Sequence, residues 1–358
     1  MRPLLLAASA LALMACSAPA SADDTPMIAV PADMAAQARA VFDPIAAQYP
    51  ALNVTVMHGS DIIWEAEGGI QRDARDGVTR DYNAYSVAKT ITGMAFARLV
   101  DHDGFDLDQS VRAIDPALPA HYDAVTVRQL LSHTAGVRHY TGEADWLGFN
   151  ALRCATPAEA LSHFIADPLV REPGTGYGYT TYGFVLASHL LVQITGEASF
   201  DAALEAVLGE HYRARADQED ADKAVTWYGE DGAWQALPLS AECKFGGGGL
   251  LMSSRDLAAM GASLAAGEIV PVERMETLFE PRAHEDAQGF AYVYGMGTDI
   301  DPDFGVRFVA HSGGSPGGRS FLFVLVEPQL TIAVTGNLDG PGLDQVAIPL
   351  AGVFAGGD

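Results

Sequence analysis

Apolar residues recur at helical spacing in ADMAAQARAVFDPIAAQY, and this predicts a helix over 32–48 with Met34, Ala38, Val41 and Ile45 on one face. ALNVTVMHG and DIIWEAEGG then read as two strands joined at Gly59-Ser60. From Ser86 to about Asp101 the spacing is helical again, with Ile91, Met94, Ala95 and Leu99 facing a core. Residues 105–240 are read as mostly helical, with loops at Pro116, Pro119, Gly136, Pro173 and Gly174. SSRDLAAMGASLAAG is a further helix, with Ser253 and Asp256 at capping distance. The C-terminal part returns to strands in FAYVYGMGTDID, VRFVAHS, RSFLFVLVE and LTIAVTGN, the last two joined at Glu327-Pro328-Gln329. Their short apolar, β-branched runs suit central strands covered on both faces. A last helix is expected over 341–355, weakened by Pro349. The order predicts an α/β chain of α+β type, in which both chain ends build a mixed, antiparallel sheet around an inserted helical region.

Two segments change this picture. MRPLLLAASALALMACSAPASADD has the charge and short apolar run of an export signal, too short for a stable membrane anchor. Leu13-Met14-Ala15-Cys16 reads as a lipobox, with Cys16 lipidated. Ala20-Ser21-Ala22 fits ordinary cleavage before Asp23 instead. Either route predicts export, to the bacterial periplasm or to a membrane through the lipid alone. Residues 23–31 are read as a tether and 32–355 as the folded domain. Cys154 and Cys243 remain after the signal. An oxidising compartment permits their pairing but the sequence leaves it open.

The formal net charge of −25 excludes a nucleic-acid partner, since no basic stripe offsets phosphate repulsion. The acidic runs 209–224 and 229–234 are read as solvated surface. Nothing in the sequence calls for a cofactor or metal: the cysteines lack histidines at ligand spacing, and His133 and His139 lack a third ligand. Gly246–Gly249 lacks the lysine of a phosphate loop and is read as close backbone approach near a cleft.

The chain has only three lysines, Lys89, Lys223 and Lys244, and Lys89 falls three residues after Ser86 on a core helix. That spacing lets the side chains touch, and a helix start at Ser86 would point N–H groups at its oxygen. At an ordinary pKa only about one lysine in 2,500 is neutral at pH 7, so burial must depress the pKa if Lys89 is to act as a base.

Four motifs occur in order: YSVAK (85–89), VRQLLSHTAGVRHY (127–140), PGTGYGYTTYGFVLASHLL (173–191) and AHSGGSPGGRS (310–320). With them the chain resembles the serine β-lactamase-related superfamily, which includes class C β-lactamases, D-alanyl-D-alanine carboxypeptidases and certain esterases. LLSHTAGVRHY, Tyr179-Thr180-Thr181 and AHSGG bring it nearest the branch of the mitochondrial serine β-lactamase-like protein. The resemblance implies a β-lactamase/transpeptidase-like fold. It implies that Ser86 is a nucleophile, Lys89 its base and Tyr179 a proton relay to the leaving group. It puts His311 where β-lactamases carry lysine, the N–H groups of Ser86 and Gly314 in an oxyanion hole, and Thr181, Ser312 and Gly313 against substrate.

Two departures follow from that resemblance. Thr181 stands where many relatives have asparagine, and His311, largely neutral near pH 7, grips a carboxylate less strongly than lysine would. Arg319 is a candidate for restoring the charge. The expected function is hydrolysis of a small-molecule or peptide substrate, with a peptidase of amide bonds ahead of a carboxylesterase or weak class C-like β-lactamase. A noncatalytic penicillin-binding sensor or scaffold is the alternative of another class. Assembly state is not encoded in any of these motifs.

Overall fold

Seven strands form one sheet: β1 (Leu52–His58), β2 (Asp61–Gly68), β3 (Tyr292–Val293), β4 (Met296–Ile300), β5 (Arg307–Ser315), β6 (Gly318–Leu325) and β7 (Leu330–Gly336). Their spatial order is β2-β1-β7-β6-β5-β4-β3. Every pairing between these strands is antiparallel. The N-terminal hairpin docks on the last strand, Leu52 opposite Gly336 and His58 opposite Leu330, so the two chain ends complete one sheet. The computed structural model describes residues 27–73, 75–218, 221–229, 233–237, 240–278, 292–301 and 304–356; the expected lipid site, Cys16, lies outside them.

Both faces of the sheet are covered. All seven residues of β7 are buried, Thr331 and Thr335 included, so both faces of this strand are covered. On one face Val54, Val56, Phe321, Phe323, Ile332 and Val334 pack under the terminal helices α1 (Ala32–Ala46) and α5 (Asp344–Ala355). On the other, Leu322, Val324 and Ala333 join the core of α2 (Ala88–Asp103), α3 (Thr181–Thr195) and α4 (Ser254–Ala265). Gly261 lets α4 lie against β7, because a Cβ there would come within 2.7 Å of Thr331.

The helices differ from expectation in detail. The buried stripe of α1 is Ala38, Phe42 and Ala46, one residue round from the expected face. Phe42 sets the rotation because its ring meets Trp64 edge-on at 6.3 Å. Pro349 sits on the exposed side of α5, where the missing N–H is tolerated, and Val346, Ala347, Leu350 and Ala351 hold the helix down. Ser253 caps α4 by accepting from the Asp256 N–H at 3.0 Å.

The inserted region is helical only as far as His211. Beyond it, Arg215–Ala216 pairs with Leu250–Met252, and Trp227–Tyr228 pairs with Gln235–Ala236. This polar, acidic stretch lacks the apolar period that a packed helix needs. The expected tether is also partly engaged, since the Ile28 N–H donates to the Ile62 carbonyl at 2.8 Å. Met252, Met260 and Met296 are fully buried, as expected of core residues.

Candidate active site

Ser86 stands on a tight turn. Tyr85 has φ 45°, a left-handed conformation that non-glycine residues rarely adopt, and Tyr85–Val87 form one 3-10 turn before α2. The turn is pinned from two sides: the Ser320 hydroxyl donates to the Ala84 carbonyl at 2.5 Å, and the Ala84 N–H donates to Leu250 at 2.9 Å. Strand β5 presses on the turn directly, for a Cβ on Gly313 would lie 2.5 Å from the Ala84 oxygen. Backbone strain held by several contacts is characteristic of functional sites.

Lys89, one turn on, is completely buried. Its Nζ donates to the Gly247 carbonyl at 2.5 Å and lies 3.2 Å from Ser86 Oγ. The rings of Tyr179 and Phe184 are 4.8 and 5.8 Å from the same nitrogen. Burial, and then the positive charge of Lys244, hold its pKa well below the usual lysine value. A neutral amine has one lone pair and two N–H groups. With one N–H directed to Gly247, the lone pair is available to the serine hydroxyl.

Tyr179 is held by two histidines. His133 Nδ1 accepts the Thr180 N–H at 3.2 Å, and His139 Nδ1 accepts the Thr181 N–H at 3.2 Å. The His133 ring also lies against Tyr179 with centroids 4.5 Å apart. Both rings must be neutral, since a protonated Nδ1 would place donor against donor. Burial agrees, pushing His139 down to about 4 and His133 well below its ordinary value. Burial pushes the Tyr179 phenol upward, partly offset by a hydrogen bond with Ser86. The phenol therefore keeps its proton and can give it away.

His311 lies on β5, buried, with Tyr292 at 5.6 Å and Tyr179 at 6.3 Å between ring centroids. Its Nδ1–H donates to the Ser312 carbonyl at 2.6 Å, which leaves Nε2 as a bare acceptor. Burial, then the Lys89 charge, lower its pKa to about 3, so it is neutral at every physiological pH.

These elements border a cleft of about 250 Å³ lined by Ser86, Tyr179, Thr181, Lys244, Gly314 and their neighbours. Gly314, Ser315 and Pro316 form the β5 side. Ser312 is exposed and Gly313 is buried against the Ser86 turn, so neither of these two expected substrate contacts lines the cleft. Alternation along the strand turns successive residues to opposite faces. Arg319 is held by Asp339 at 2.8 Å and the Gly340 carbonyl at 2.6 Å, and so does not replace the missing third-motif charge.

The family model described as Beta-lactamase matches residues 38–355. The chain belongs to the beta-lactamase family. It is 24% identical over 279 residues to penicillin-binding protein 4* of Bacillus subtilis, covering 70% of this chain and 59% of that one. It is 25% identical over 224 residues to a D-aminopeptidase of Cereibacter sphaeroides, covering 59% and 42%. The match thus spans less than two thirds of either curated relative. A D-stereospecific amidohydrolase from Streptomyces shares the fold at TM-score 0.72 and 21% identity, over 90% of this chain and 99% of that one.

Beta-lactamase-family motifs led to Ser86, Tyr179, Thr181 and Gly314, which line one cleft, and to Lys89, buried beside Ser86; His311 is buried too and does not line the cleft. They did not include Lys244 and Trp146, which line the same cleft, and Tyr140, at the end of the second motif, was given no role there. Gly246–Gly249 is the close approach expected: a Cβ on Gly246 would lie 2.1 Å from Thr92 Oγ1, and one on Gly247 2.7 Å from the Thr181 carbonyl. Cys154 and Cys243 form a disulfide that ties this segment to the helical region, beside a Cys154 N–H donating to Glu242 at 3.1 Å. The available signal for Lys244 was its rarity, one of three lysines, placed two residues before the glycines.

Proposed function

We propose that the protein is an exported serine hydrolase that cleaves amide bonds through an acyl-enzyme on Ser86. Neutral Lys89 takes the Ser86 proton as Oγ attacks the scissile carbonyl carbon. The N–H groups of Ser86 and Gly314 stabilise the resulting oxyanion. Tyr179 passes its proton to the leaving nitrogen as the C–N bond breaks, and is reprotonated from Lys89. Water, with Lys89 again as base, then hydrolyses the ester and returns the serine.

One observation carries this reading: a fully buried lysine, with no carboxylate among its hydrogen-bond or ion-pair partners at the described residues, lies 3.2 Å from the hydroxyl of Ser86, which a strained turn presents to the cleft. A noncatalytic sensor has no use for that arrangement. Similarity to a D-aminopeptidase and to a D-stereospecific amidohydrolase supports amides ahead of esters. The signal at 1–22, with lipidation at Cys16, remains our reading for location.

The test is a panel of D-amino-acid peptides and amides, short acyl esters and nitrocefin, with intact-mass detection of acyl-enzymes. His311 is neutral where β-lactamases carry a cation, and a charged hydrogen bond is worth roughly 1.5–3 kcal/mol. An amide or ester should therefore exceed nitrocefin by at least about tenfold in kcat/KM. Equal efficiency toward nitrocefin would instead make the enzyme a β-lactamase.

A further inference from the structure

Among the described residues, Lys244 is the one residue lining the cleft with a formal positive charge, and the mechanism does not use it. It is only 7% exposed, yet it lines the cleft with Ser86 and Tyr179. Among the described residues its ammonium has no hydrogen-bond or ion-pair partner; the Trp146 ring lies 5.9 Å away, and burial lowers the Lys244 pKa to about 8, the charge of Asp217 offsetting only part of that effect. A buried cation without a partner is costly, and a ligand that supplies the missing anion recovers that cost. Among the described residues the lining contains no aspartate or glutamate; around Lys244 stand neutral groups such as Tyr85, His139, Tyr140, Trp146, Thr181 and Ser315. It offers no countercharge to an ammonium group.

We propose that Lys244 is the anion subsite of this active site, and that the substrate is an amide or ester carrying a carboxylate within reach of the scissile carbonyl. This rests on the cleft being the active site, and it names the substrate class. A free amino group, which a D-aminopeptidase would bind, has no countercharge here. The cation stands not on the third-motif strand, where β-lactamases carry theirs, but on the segment just before Gly246–Gly249, so it seats a carboxylate placed differently from that of a β-lactam. Asp217 and the disulfide fix that segment, Asp217 by accepting the Ala241 N–H at 2.8 Å and Cys243 by its bond to Cys154. The net charge of −25 does not prevent this, because exposed charges beyond about 8–10 Å are largely screened at physiological salt.

The experiment titrates phenylboronic acid and 3-carboxyphenylboronic acid against fluorophosphonate labelling of the full chain. The carboxylated acid should protect at a concentration about tenfold lower or more. Lys244→Met should remove that preference, read as the ratio of the two protecting concentrations, which cancels a change in Ser86 reactivity common to both acids, while Lys244→Arg should keep it. If Lys244→Met does not fold, Lys244→Gln reads the same contrast. Equal protection by the two acids in the wild type, or a preference that survives loss of the charge, overturns the subsite while leaving Ser86 as nucleophile. If the wild type does not label at all, calorimetric titration of both acids into Ser86→Ala still tests the carboxylate preference, because no boron adduct is needed.

Discussion

The Lys89 amine donates to the Gly247 carbonyl at 2.5 Å while its nitrogen lies 3.2 Å from Ser86 Oγ. This pairing turns a buried lysine into a directed base. The carbonyl takes a proton that either ionisation state possesses, and burial favours the state with a free lone pair. The glycine is required because a Cβ at 247 would meet the Thr181 backbone.

The rate should therefore rise with pH along a limb whose apparent pKa lies well below that of an ordinary lysine, since Lys89 must be neutral to act. Removing the Lys244 charge withdraws a repulsion and favours charged Lys89, so Lys244→Met should move this limb to higher pH. An uncharged ester is the suitable substrate. A pH–rate profile that places the limb lower in the variant, or leaves it unmoved, contradicts the coupling. Lys89→Met should lower kcat by about 10³-fold or more, because nucleophile and base act as a unit.

Acid should loosen the Tyr179 loop. His133, His139 and His311 are held below the ordinary histidine pKa, so below about pH 6.5 the unfolded chain binds more protons than the folded one. Stability then falls as pH falls, by up to about 1.4 kcal/mol per pH unit for each histidine while it is neutral folded and charged unfolded. Partial exposure of His139 reduces its share. Thermal unfolding between pH 7.5 and 4.5 measures this. A Tm that does not decline across that range contradicts the neutral assignment.

Reduction of Cys154–Cys243 should both destabilise the chain and impair the site. The bond closes a loop of 89 residues, and loss of such a crosslink costs about 2–5 kcal/mol. It also frees the segment that carries Lys244 and Gly247. Cys243→Ser should lower Tm and reduce kcat/KM together. A lower Tm with unchanged kinetics at a temperature where the variant is folded would separate the disulfide from the site.

What was legible in the sequence follows the range of the forces involved. The sheet, its hairpins and α2 are written as local periodicities, and YSVAK places two reacting groups one turn apart, so short-range geometry was enough. Phe42 was missed because the stripe of α1 is decided by which side chain seats on Trp64, a contact between elements. Lys244 was missed for a similar reason: it approaches Ser86 only when the 240s segment folds back across α2 and α3. The use of His133 and His139 as acceptors for the backbone after Tyr179 depends on a contact more than forty residues away in sequence. The extended stretch after His211 was read as helix because acidic surface residues give little evidence of either period.

Every step of the proposed mechanism passes through Ser86 Oγ. Treating pure wild-type protein and Ser86→Ala with a fluorophosphonate, then recording intact mass and mapping the modified peptide, tests this directly. One adduct per chain is expected on Ser86 in the wild type, none in a folded Ser86→Ala, and much slower modification in Lys89→Met. Equal labelling of Ser86→Ala, or an adduct mapped to another residue, would show that the serine on the strained turn is not the nucleophile.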